Sequence, residues 1–111
     1  YLAVVKADPK ISLSSDKTSV ADKETFKISA NLDSGSKQVS SWGIYTGNGG
    51  ISSGGGLVMY CNGGSTACSA EGMYVLSPTT NFHAEAKFTD GSIYKSNSVT
   101  IYLKSANSRI Q

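Results

Sequence analysis

Short segments of strict apolar–polar alternation recur along this chain, and no window of it carries the apolar spacing of a helix. Ile11 and Leu13 open the series. Phe26, Ile28, Ala30 and Leu32 follow, then Trp42 and Ile44, then Phe82, Ala84, Ala86 and Phe88, and finally Val99, Ile101 and Leu103. Successive side chains of a strand point to opposite faces, so each segment offers one face to a core and one to water. Turn-forming residues separate the segments: Ser15-Asp16-Lys17-Thr18, Asp33-Ser34-Gly35-Ser36, Pro78 and Asp90-Gly91. About seven short strands broken by turns predict an all-β chain whose half-apolar sheets stack as a sandwich.

The 111 residues suffice for one such core and not for two. Pro9 fixes the entry into the first strand, which puts the domain at residues 10–104, a lead-in at 1–9 and a polar tail at 105–111. Both ends read as linkers to further chain. Ten basic residues against eight acidic ones leave a formal charge of +2, and the lysines are scattered from Lys6 to Lys104. A nucleic-acid binder gains most of its affinity from a concentrated basic stripe, so nucleic acid is not an expected partner. No apolar run nears the ~20 residues that cross a bilayer, so no membrane insertion is expected. The isolated domain is expected to be a monomer.

The two cysteines, Cys61 and Cys68, bracket Asn-Gly-Gly-Ser-Thr-Ala. An even count, a Gly-Gly pair that lets the chain reverse and no nearby histidine all suit a disulfide better than a metal site. The spacing predicts that Leu57 to Cys61 and Cys68 to Leu76 pair as a hairpin closed by that bond, and a disulfide implies an oxidising, extracellular or cell-surface setting. Just upstream, Gly47 to Gly56 is so rich in glycine that regular structure is not expected there. It reads as a mobile connection or as an adaptable recognition loop.

With these segments in hand, the chain resembles the bacterial immunoglobulin-like and fibronectin type III-like modules. The resemblance is carried by Ile11-Ser12-Leu13-Ser14, by Thr25-Phe26-Lys27-Ile28-Ser29-Ala30 and by Trp42 on the third strand. Phe82-His83-Ala84-Glu85-Ala86 leading to Asp90-Gly91, and the closing Ser98-Val99-Thr100-Ile101, complete it. It covers residues 10–104 and implies an immunoglobulin-like β-sandwich of about seven antiparallel strands with Trp42 as its core plug. In antibody-type domains the disulfide joins the second and sixth strands, which here carry Ala30 and Ala84 or Ala86, so the bacterial modules are the better match.

No catalytic set is legible. The single histidine, His83, alternates with Phe82 and Ala84 and so faces outward beside Glu85 and Lys87. No serine lies in a nucleophile elbow, no carboxylates show calcium-loop spacing, and the glycine stretch lacks the lysine of a phosphate loop. No enzyme, cofactor or metal is therefore expected. With Trp42 pointing in, Tyr45 points out, and the same parity puts Thr100 and Tyr102 outside. Tyr45, His83, Glu85 and Tyr102 thus form the candidate ligand-binding face, its rings and polar atoms suited to a protein or a glycan at the cell surface. The expected function is that of a non-catalytic spacer, adhesion or protein-binding module in a larger bacterial surface or secreted protein. The alternative is a carbohydrate-binding accessory domain of a secreted polysaccharide-degrading enzyme such as a chitinase. A further possibility is a pilus or phage-tail subunit exchanging strands at the edge formed by Lys10 to Ser14.

Overall fold

The alternating segments become two stacked sheets in the computed structural model, which describes residues 8–104 apart from residue 53 and the side chain of Asn48. Most of the expected lead-in, residues 1–7, and the tail from 105 lie outside the described residues. Nine strands are present among the described residues: β1 (Lys10–Ser15), β2 (Ser19–Val20), β3 (Phe26–Asp33), β4 (Val39–Gly50), β5 (Gly55–Cys61), β6 (Ala67–Met73), β7 (Thr79–Phe88), β8 (Ile93–Lys95) and β9 (Val99–Leu103). One sheet has the order β1-β3-β6 and the other β2-β9-β7-β4-β5, with β8 also pairing β7. Each pairing is antiparallel except β2 with β9, which is parallel.

Alternation in β3 is complete, with Phe26, Ile28, Ala30 and Leu32 buried. They meet Trp42, Ile44, Phe82, Ala84, Ala86, Phe88 and Ile101 from the facing sheet in one continuous core. Phe26 and Phe82 pack edge to face across it at 5.9 Å, the arrangement that aligns a positive ring edge with a negative ring face. Trp42 is fully buried, as expected of the core plug, and its indole Nε1–H donates to the carbonyl of Asn62 at 2.9 Å. That bond satisfies the one polar atom that the ring brings into the interior.

Several expectations are corrected. Leu57 to Cys61 and Cys68 to Leu76 do not pair with each other: β5 pairs β4 and β6 pairs β3, so the chain between them crosses from one sheet to the other. The Cys61–Cys68 disulfide, Cα to Cα 5.7 Å, is therefore a staple between sheets. Two strands escaped the sequence because they are too short to show a period, β2 with two residues and β8 with three. β8 and β9 run along the same side of β7 as one strand interrupted at Ser96 to Ser98. There Ser96 N–H donates to the Ala84 carbonyl and the Ser96 hydroxyl accepts from Ala84 N–H, both at 2.8 Å.

The interruption turns Asn97 toward the other sheet. Its side-chain Nδ2 donates to the Leu13 carbonyl at 2.9 Å, and its Oδ1 accepts the Leu13 N–H at 3.0 Å. One amide thus imitates a strand and occupies the outer edge of β1. Strand exchange at Lys10 to Ser14 would have to displace it. The disulfide on the β5/β6 side and Asn97 on the β1/β8 side clip both open flanks of the sandwich.

Reducing the disulfide, or replacing both cysteines by serine, is expected to lower stability by about 2–3 kcal/mol, the loop-closure value for so small a ring. Asn97→Ala is expected to cost about 1–2 kcal/mol by removing two hydrogen bonds. Urea unfolding of the variants measures both; an unchanged midpoint for either would show that flank to be held by packing alone.

Candidate functional site

Strand parity sends Tyr45 of β4 and His83 and Glu85 of β7 to the outer face of the larger sheet. Pairing of Tyr45 with His83 and of Glu85 with Lys95 brings these side chains together. The Tyr45 and His83 rings stack at 6.0 Å with 26° between their planes. Three of the four candidate residues thus form one cluster. The fourth does not join it: Tyr102 pairs with Thr79, four residues and about 13 Å of strand away from His83. Its ring is exposed.

A wet face was expected here, yet the cluster is covered. Glu85 is only 3% exposed and Tyr45 only 7%. Over Glu85 the cover is the glycine-rich stretch, and this corrects its reading as a mobile connection without regular structure. β4 runs on to Gly50, β5 starts at Gly55, and Gly50 pairs with Gly55. Gly54, at φ 77°, closes the tip by donating its N–H to the Gly50 carbonyl at 2.8 Å. The hairpin folds over the sheet so closely that a Cβ on Gly50 would lie 2.7 Å from the Glu85 carboxyl carbon. Only glycine permits that approach.

The buried carboxyl is well satisfied. Oε1 accepts the Ile51 N–H at 3.0 Å, and His83 Nε2 lies within hydrogen-bond distance of Oε2, at 2.6 Å. Lys95 Nζ stands 3.9 Å from the same oxygen. Burying a carboxylate is tolerated only when it is hydrogen-bonded and paired, and here both conditions hold. The trio therefore acts as a latch: Glu85 holds the hairpin tip through Ile51, His83 orients Glu85, and Tyr45 packs on His83. Beside it a shallow depression of about 260 Å³ is lined by Gly47, Gly49, His83, Lys95, Ser96 and Ser98. The Ser96 hydroxyl in it donates to the Asn97 carbonyl, and His83 faces Glu85. Among the described residues no group of three or more His, Cys, Asp or Glu side chains could hold a metal ion.

Sequence reasoning missed the aromatic ring that is exposed near this cluster. Tyr60 of β5 pairs with Gly43 and is 63% exposed, and Leu57, paired with Tyr45, is 54% exposed. Both share the outer face because the β4–β5 register shifts between them, leaving Val58 as an extra residue. A bulge leaves no mark in the period-two pattern other than its failure.

The Tyr45 phenol is held above its ordinary value by burial first, then by the charge of Glu85 and by Tyr60. A raised folded-state value means stability that is present below the unfolded phenol range and is lost as pH climbs through the folded one. Glu85→Gln is expected to bring the Tyr45 titration down toward the ordinary value, because it removes the neighbouring charge and keeps the burial. NMR titration of the Tyr45 ring carbons measures this, and a titration that does not move would exclude Glu85 as a cause.

No protein-family model matches the chain, and no curated protein does. Among solved structures it is similar to the fibronectin(III)-like modules of CbhA from Clostridium thermocellum, at a TM-score of 0.58 and 20% identity over 83% of this chain and 94% of that one. It is also similar to an engineered protein solved at 1.98 Å, at a TM-score of 0.56 and 15% identity, over 91% of this chain but 21% of that one. Likeness at these identities concerns the fold, and with the two packed sheets it makes the chain a β-sandwich of the fibronectin type III and immunoglobulin-like kind.

Proposed function

We propose that this chain is a non-catalytic, extracellular module of a larger bacterial surface or secreted protein, working as a tension-bearing spacer that also presents surfaces for adhesion or protein binding. The parallel pairing of β2 with β9 carries this reading. β2 lies near the start of the sandwich and β9 at its end, and Tyr102 and Lys104 N–H groups donate to the Thr18 and Val20 carbonyls at 2.8 and 2.7 Å. Pulling the two ends apart draws these parallel strands in opposite directions along their common axis. The bonds are then loaded together in shear and cannot open one at a time.

Other features support the same reading. The disulfide suits an oxidising compartment. The chain's one imidazole is committed to Glu85 rather than to a nucleophile, so the constellation that hydrolysis needs is not assembled around it. The CbhA structures to which the chain is similar are themselves described as modules. A glycan-binding role is the weaker reading, because the two rings expected to act together do not: Tyr45 is covered, and the exposed Tyr102 lies opposite Thr79, four residues along β7 from His83.

Single-molecule pulling from the two ends is the test. A sharp force peak that falls on Tyr102→Pro, which removes the N–H donated to the Thr18 carbonyl, is expected; gradual yielding at low force would remove the spacer reading. Retention of the chain on insoluble chitin, cellulose or peptidoglycan would favour the carbohydrate-binding alternative instead.

A further inference from the structure

A sandwich that ends in open sheet edges must keep them from pairing with other strands. Of the four strands that end the two strand orders among the described residues, three are protected. β1 has Asn97 bonded to both backbone groups of Leu13 and begins with Lys10. β2 is two residues long. β6 carries Glu71 and a positive φ at Gly72, which break a flat ladder. β5 is seven residues long and has no capping side chain; its breaks are the positive φ of Gly56, ahead of Leu57, and the bulge at Val58. Its sequence, Gly55-Gly-Leu-Val-Met-Tyr-Cys61, contains no charge and no proline, and it ends the strand order of the larger sheet. Leu57 and Tyr60 stand exposed along it.

We propose that β5 is an interaction edge whose partner is β5 of a second copy of this chain, joined antiparallel about a two-fold axis to make one continuous sheet. Self-pairing of an uncharged strand sets no like charges against each other. One register in particular matches residue to residue: Leu57 opposite Tyr60, Val58 opposite Met59, and the reverse on the other side of the axis. Directly opposed residues of an antiparallel pair lie on the same face. The bulge satisfies that condition, since it places both Leu57 and Tyr60 on the outer face while Val58 and Met59 pack toward the core. The register thus covers both exposed apolar side chains of β5 with each other. It replaces the monomer expected from the sequence with a concentration-dependent dimer.

Sedimentation velocity over a concentration series tests this, with circular dichroism as the folding check. The wild-type chain is expected to pass from monomer to dimer as concentration rises. Leu57→Lys with Tyr60→Lys sets lysine against lysine twice and is expected to weaken association about tenfold or more. Leu57→Lys with Tyr60→Glu sets lysine against glutamate and is expected to restore it. Equal association of the two double variants would overturn the register and the edge with it. Hydrogen exchange of the unaltered chain is a second measurement independent of any variant: amides of Gly55–Cys61 should gain protection with concentration. A chain that stays monomeric and shows no such gain overturns the proposal, as does a monomer whose β5 is protected only by an added extended peptide.

Discussion

Everything in this molecule depends on two half-apolar sheets being held face to face. The hydrophobic effect supplies the attraction, but it is non-directional and does not by itself fix how two sheets are aligned. Alignment comes from bonds that cross between the sheets at their flanks. On one flank the link is covalent, between Cys61 and Cys68; on the other it is the Asn97 amide bonded to Leu13. Between the clips, Phe26 meets Phe82 edge to face and Trp42 fills the middle. A small domain buries a modest fraction of its surface, so directed bonds at its margins carry a large share of its uniqueness.

The outer face of the larger sheet shows a second use of directed polar bonds. A glycine-rich hairpin has few side chains with which to pack, and each ordered glycine loses more backbone freedom than any other residue. Its ordering is offset by a carboxyl that accepts the Ile51 N–H and by an imidazole that steadies the carboxyl. Tyr45 packs beneath. What looks from the sequence like a ligand-binding constellation is, in the fold, occupied by the protein's own backbone.

How much of this was legible in the sequence follows from what side-chain patterns encode. Period-two alternation located β1, β3, β4, β7 and β9, and the inward residues it named, Phe26, Ile28, Trp42, Phe82, Phe88 and Ile101, do meet in one core. Parity also named the correct face for Tyr45, His83 and Glu85. Parity says nothing about what lies over a face, and so the burial of Glu85 by the hairpin was out of reach. Gly47 to Gly56 has no alternation to read, because the residue type that permits its tight return is the one without a side chain. The cysteine spacing indicated a bond but not which sheets it joins: six intervening residues serve a hairpin as well as a crossing between layers. Tyr102 was grouped with His83 because β9 neighbours β7, and register rather than adjacency separates them.

The placement of Trp42 gives the protein a built-in optical probe. Its indole nitrogen is anchored to the carbonyl of the residue that follows Cys61, while its rings sit at the centre of the interior. A single fluorophore therefore senses the crossing between layers through its polar end and the packed interior through its apolar body. Being the sole tryptophan, it reports on both without interference from a second indole.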